Sequence, residues 1–203
     1  MKMTKSIAKL FLWSFLFPVI SVFILHIFHV TFPNYIQSYG DIVPDISQNV
    51  NETSKWKILL NTCLISPLIE ESVFRGNISR NIKFHYIAIG FSLVFLGLTL
   101  MNSDYINGYY FIIYSILIYF FFKLNRDNIS LNRLLIISSI AFGFLHIYKL
   151  DNSLLLNSFS YFVYTIPLII FGYILGIVRI RYGLIYSIVF HFLKNLLAMS
   201  FVL

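Results

Sequence analysis

Long apolar runs separated by short polar connections fill this chain from end to end. Seven of them approach the roughly 20 residues that a helix needs to cross a bilayer. They fall at about 10–30, 56–78, 84–101, 109–122, 134–148, 159–178 and 182–203. The pattern predicts an all-α fold, a polytopic membrane bundle of about seven transmembrane helices. The fourth and fifth runs are short, so they are expected to tilt less or to dip incompletely. The longest polar stretch, 31–55, carries Pro33, Gly40 and Pro44 and reads as a loop with turns, too short for a soluble domain. No internal repeat stands out, and 1–203 reads as one membrane-embedded domain. Lys2, Lys5 and Lys9 precede the first run as in a signal sequence. That run, however, is long, contains His26 and His29, and ends at Phe32 and Pro33 rather than at a small-residue cleavage site, so an uncleaved helix is expected.

Composition agrees with the pattern. Of 203 residues, 59% are hydrophobic and 11% charged, and the mean hydropathy is +0.81, whereas soluble domains average about 25% charged. The single cysteine, Cys63, excludes an internal disulfide and reads as a buried thiol. The net charge of +7 is a topology signal. With the N-terminus in the cytoplasm, the connections holding Arg80 and Lys83, then Lys123, Arg126 and Arg133, then Arg179 and Arg181, all face inward. Asp41, Asp45, Glu52, Asp104 and Asp151 face outward, with Lys55, Lys57 and Lys149 the nearby bases. Nucleic-acid binding is not needed to explain the excess of positive charge. A bias toward Ile, Asn, Lys, Phe and Tyr suggests an AT-rich bacterial genome, and hence a multi-pass protein of a bacterial cell membrane.

Ionisable residues within the runs are few, and each is costly. Glu70 and Glu71 stand side by side in the second run, at about 2.5–3.5 kcal/mol each on insertion scales. Residues four apart share a helix face, while neighbours point about 100° apart. Glu71 can therefore clamp Arg75, leaving Glu70 to point elsewhere. The same spacing joins Phe142 to His146 and His191 to Asn195. If the second, fifth and seventh helices pack together, a carboxylate, two imidazoles and an amide converge inside the bilayer. Such a set suffices for hydrolysis. A desolvated carboxylate helped by a histidine serves as general base on water, and a histidine with an amide can hold an oxyanion.

The run Glu70-Glu71-Ser72-Val73-Phe74-Arg75, then Phe142 to His146, then His191 to Asn195, closely resembles the CPBP (Abi) family of intramembrane endopeptidases, which includes CAAX prenyl proteases and bacteriocin self-immunity proteins. The resemblance covers about 61–199 and rests on three motifs in order on separate predicted helices. It implies that Glu70 with His146 activates the hydrolytic water, that His191 and Asn195 hold the oxyanion, and that Glu71 with Arg75 is mainly architectural, with Phe142 supporting the site. The expected substrate is a membrane-associated peptide or protein. Family usage leaves two mechanisms open: a single divalent metal such as zinc held by Glu70, His146 and His191, or a metal-free one in which Glu70 works directly as base, the latter slightly favoured. The absence of a His-Glu-x-x-His signature disfavours other intramembrane protease classes. No other cofactor is implied. The stretch between the first two motifs is longer than in compact bacterial members and reads as an inserted helical hairpin, about 84–122, dividing a protease core of about 56–82 and 131–203. That hairpin is expected to form a side wall or gate.

Other readings keep their place. A non-catalytic bacteriocin-immunity or scaffold protein would share the fold, and a small proton-coupled transporter could use Glu70 and the histidines, but neither requires the full set of three motifs. Lys194, unusual at depth, is expected to snorkel to the interface; the alternative is that it faces the cavity and binds a carboxylate. His26, His29 and His85 lie near run ends and are expected to pack at the interface, where Trp56, Tyr109, Tyr148 and Tyr182 serve as aromatic anchors.

Overall fold

In the computed structural model the described residues are 2–31, 52–101, 105–125, 128–146 and 158–200, and all regular structure among them is helical. Helix α1 is Lys2–Thr31. A second rod is built from α2 (Glu52–Leu59), a π-helical segment (Leu60–Ile65) and α3 (Ser66–Phe74). Then come α4 (Ile82–Met101), α5 (Tyr105–Leu124), α6 (Leu131–Leu145), α7 (Ser158–Tyr182) and α8 (Leu184–Met199). The architecture is that of an integral membrane protein. Tyr148 and the polar loop across 32–51 lie outside the described residues.

The seven runs divide by length. Ser6–Thr31, Ile82–Leu100 and Phe162–Tyr182 are long and apolar enough to cross a membrane, whereas Gly108–Leu124, Leu131–Leu145 and Leu184–Met199 are apolar but shorter. At 1.5 Å per residue, a helix the length of α6 covers about 22 Å of a hydrocarbon core of about 30 Å. The second run is not a uniform helix at all. Pro67 occupies its second α3 position, and a proline has no N–H to give and clashes with the carbonyl of the turn before it. The rod absorbs this as one turn of π-helix, with the Ser66 N–H reaching back to Asn61 O. Leu59 and Ser66 on either side remain in right-handed helical geometry, so the rod does not break.

Helix α7 is the central strut, packed on α1, α6 and α8, while α4 and α5 form a hairpin whose first helix packs on α3. The hairpin is antiparallel and joined inside by Ser92 to Ser115 at 2.8 Å. Its Phe111 and Tyr114 rings lie 5.4 and 4.7 Å from the Phe74 ring. The stretch expected as an insertion therefore packs directly on the helix that carries the glutamates. Between α7 and α8 the chain turns on a single residue, Gly183, at φ +106°, a conformation that side chains with a Cβ rarely adopt. That reversal lays His191 back against Phe171, their ring centroids 5.1 Å apart. Ser130 opens α6 by accepting the Arg133 N–H with its side chain. The core gathers Ile69, Val73, Phe74, Phe142, Phe171 and Leu175 between these helices. As expected, Cys63 is buried and free, and Trp56 and Tyr109 are exposed.

Candidate active site

The polar centre of the bundle is built on the last turns of α3. From Ile69 to Ile78 every side chain is buried, including Glu70, Glu71 and Arg75. Glu71 is the hub. Its Oε2 lies 3.4 Å from Arg75 Nε, both side chains fully buried, and accepts a hydrogen bond from the Ser187 hydroxyl of α8. Its Oε1 accepts from His191 Nδ1 at 3.1 Å. The i,i+4 pairing of Glu71 with Arg75 is thus present, but the same carboxylate also holds His191. Arg75 is tied further by Nη2 to Gly172 O at 3.0 Å and covers the Phe142 ring at 4.4 Å. Its Nε and Nη1 make no hydrogen bond among the described residues. Gly172 makes this approach possible, since a Cβ there would stand 3.1 Å from Phe142 Cδ1 and 3.2 Å from Arg75 Nη2. From α7, Arg179 Nε donates to Arg75 O at 3.2 Å.

Glu70 belongs to a different face. Its Oε1 accepts from Ser66 Oγ at 2.6 Å, one turn back on the same helix. Beside Ser66, a cavity of about 370 Å³ runs between the rod and α4, lined by Asn61, Ile65, Ile69, Phe95, Leu98 and Thr99. The hairpin thus forms one wall of an opening that reaches the Glu70 partner.

The remaining motif residues come from α6 and α8. His146 lies just past the end of α6, which closes at Leu145; it is the C-cap of that helix and is half-buried. Its Nδ1 lies 3.0 Å from Phe142 O. A carbonyl only accepts, so Nδ1 carries the hydrogen; the ring answers a carbonyl that the helix end leaves without a partner. The Phe142 ring stands at the centre, 5.0 Å from the His146 ring and 5.8 Å from that of His191.

Asn195 has a partner that the spacing did not suggest. Its Nδ2 donates to Thr62 O in the π segment at 2.9 Å. The cause is again Pro67. In the π register the donor for Thr62 O would be the N–H of residue 67, which a proline lacks, while the Ser66 N–H is already given to Asn61 O. The orphaned carbonyl captures the amide of α8 and binds that helix to the glutamate-bearing rod. One hydrogen of the Asn195 amide remains to give.

Two expectations are corrected. His85 is fully buried rather than interfacial. Its Nδ1 lies 2.9 Å from Asn77 Oδ1 and its Nε2 3.0 Å from Ser79 O, and the ring stacks on Phe122 at 4.3 Å. It pins the turn after α3 to the start of α4. Lys194 does not snorkel: its Nζ lies 4.7 Å from the Phe171 ring centroid, inside the bundle. His26 is exposed and His29 half-buried. The residues missed at the site are Ser66 and Ser187. Both carried a signal, for each stands four residues before an acting side chain, Glu70 and His191 respectively.

Zinc would need Glu70, His146 and His191 gathered around one point. Among the described residues no group of three or more His, Cys, Asp or Glu side chains is so arranged, and no step of the reaction is assigned to a metal.

The described helices thus hold two adjacent buried carboxylates on α3, His191 and Asn195 on α8, and His146 at the end of α6. Residues 118–197 match the family model described as Type II CAAX prenyl endopeptidase Rce1-like, and the CPBP resemblance carried by the motifs is the same family. The matched stretch contains Phe142, His146, His191 and Asn195 but begins after Glu70, Glu71 and Arg75. No curated protein and no solved structure matches the chain.

Proposed function

We propose that the chain is an intramembrane endopeptidase, hydrolysing a peptide bond in a membrane-associated peptide or protein with a water activated by Glu70. The observation that carries this reading is the separation of two adjacent buried carboxylates. Glu71 is consumed by Arg75, Ser187 and His191, whereas Glu70 is oriented by Ser66 on another face. The family match supports a CAAX-protease type of hydrolase. Charge placement supports a multi-pass protein of a bacterial cell membrane with a cytoplasmic N-terminus.

Glu70 takes a proton from water as the water oxygen bonds to the substrate carbonyl carbon. The His146 Nε2 lone pair accepts the hydrogen bond from the second water hydrogen. The carbonyl electron pair moves onto oxygen. His191 through Nε2 and Asn195 through its remaining N–H donate to that oxyanion, each donor contributing on the order of 10²- to 10³-fold. Nε2 can donate only when it too carries a proton, so His191 acts as the imidazolium. Collapse of the oxyanion breaks the C–N bond, and the departing amine leaves with the proton held by Glu70. Glu71 is a positioning residue, since it fixes the His191 ring. Prenylated C-terminal motifs are the substrates the family description names; in a bacterium a pheromone precursor or bacteriocin peptide is the better fit.

The test is a membrane-tethered reporter peptide processed in vesicles, with protein abundance measured alongside. Glu70→Gln and His146→Ala are expected to lower processing by about 10²- to 10⁴-fold at unchanged abundance. Full biological activity in Glu70→Gln would sink the catalytic reading in favour of a non-catalytic immunity or scaffold protein.

A further inference from the structure

Lys194 has no task in that reaction, and its surroundings are unusual. The side chain is half-buried. It lines a cavity of about 170 Å³ with Pro18, Ser21 and Val22 of α1 and Tyr164, Pro167 and Leu168 of α7. The Phe171 face covers one side of the ammonium, and the charge of Glu70 acts on it. No ion pair or hydrogen bond to its ammonium is formed among the described residues. Three N–H donors on a half-buried cation that lines a small chamber thus lack an accepting partner among the described residues, a costly arrangement that an anion in the chamber would relieve. The walls restrict that anion. Val22, Leu168 and the two prolines suit an apolar stem, and the volume suits a single residue-sized group. Phe171 is also the ring against which His191 packs, so one aromatic ring contacts both the Lys194 ammonium and a residue of the proposed reacting centre.

We propose that this cavity between α1, α7 and α8 is a subsite for a carboxylate of the peptide substrate, held by Lys194. The proposal rests on the endopeptidase reading for the word substrate, while its chemistry is that of a carboxylate on an apolar stem. Two sources share this chemistry, a free C-terminus and an acidic side chain.

Binding is read on the full chain in detergent by thermal-shift titration, with N-acetyl-Ile-Ile-Leu as free acid, the same peptide as carboxamide, and N-acetyl-Ile-Ile-Asp carboxamide. The free acid is expected to bind about ten- to hundredfold more tightly than the leucine carboxamide, and Lys194→Met to bring the two within about twofold. The aspartyl carboxamide binds like the leucine carboxamide if the C-terminus is the ligand, and like the free acid if a side chain serves. Lys194→Arg keeps the charge and is expected to retain the preference, which guards against misfolding of the methionine variant. Equal binding of acid and carboxamide by the natural chain, no binding of any peptide, or a preference that survives Lys194→Met in folded protein overturns the subsite. Because binding needs no turnover, the subsite can hold in a protein that cleaves nothing, and cleavage can proceed in one that does not discriminate the carboxylate.

Discussion

Helices α1 and α3 are both apolar by composition, yet they occupy opposite environments. Only 6% of the best apolar window of α1 is buried inside the protein, and Leu12, Val19, Phe23 and Val30 turn outward. In α3, much the shorter helix, Pro67 and every residue from Ile69 to Phe74 are buried. In water, burial follows hydrophobicity; in a bilayer lipid tails are as apolar as leucine, and that signal vanishes. What marks the inside of this bundle is polarity. Glu70, Glu71, Ser72, Arg75 and His191 are among its most buried side chains, because no other place in the membrane satisfies them. The long α1 makes a boundary with lipid, and the short α3 carries the buried polar cluster.

The comparison is broken most severely by taking one partner from the buried cluster. Arg75→Ala leaves the Glu71 carboxylate buried without its cation, and the expected cost is about 3–5 kcal/mol. It would be read as loss of the thermal transition in detergent and of abundance in membranes. A variant as stable as the natural chain would show that His191 and Ser187 alone satisfy Glu71. The next effect comes from crowding. Gly172→Ala places a methyl 3.1 Å from Phe142 Cδ1 and 3.3 Å from Ser139 Cα, and overpacking of this kind costs about 1–3 kcal/mol. Since the methyl also presses on Arg75 Nη2, activity is expected to fall further than stability does.

How far the sequence revealed these regions depends on the physics each one uses. The apolar runs announced the helices, and i,i+4 spacing separated the faces of Glu70 and Glu71, because both are local properties of the chain. Spacing could not say that Glu71 rather than Glu70 would receive His191, since that depends on how α8 is rotated against α3, which side-chain packing and Ser187 determine. The pattern likewise placed His85 at the interface, because its partners Asn77 and Ser79 lie across a turn. The π segment was hidden for a subtler reason. Pro67 was visible, but whether a membrane helix kinks, breaks or overwinds at a proline depends on which neighbour takes the freed carbonyl, and here that neighbour is Asn195, far along the chain.

That long-range capture is open to a double-mutant cycle. Asn195→Ala leaves the part-buried Thr62 O without its donor, at an expected cost of about 1–2 kcal/mol. Pro67→Ala restores an N–H that can serve the carbonyl from within the rod, so in that background Asn195→Ala is expected to cost about 1 kcal/mol less. Denaturant or thermal unfolding of the four proteins in one detergent measures the coupling. Strict additivity would mean that the amide holds α8 in place without depending on the proline.

The smallest effect tests the outer side of the comparison. Val19→Ala on α1 and Leu93→Ala on α4 remove side chains that are 65% and 55% exposed. In a soluble protein such exposure would predict neutrality because water replaces the lost contacts; here lipid or detergent tails do so. Each substitution is expected to change stability by less than about 0.5 kcal/mol and to leave peptide processing unaltered. A loss above about 1 kcal/mol at Val19 would show that α1 buries this face against another protein or a second copy. The long helix would then resemble the short ones, its apolar surface an interface rather than a boundary with lipid.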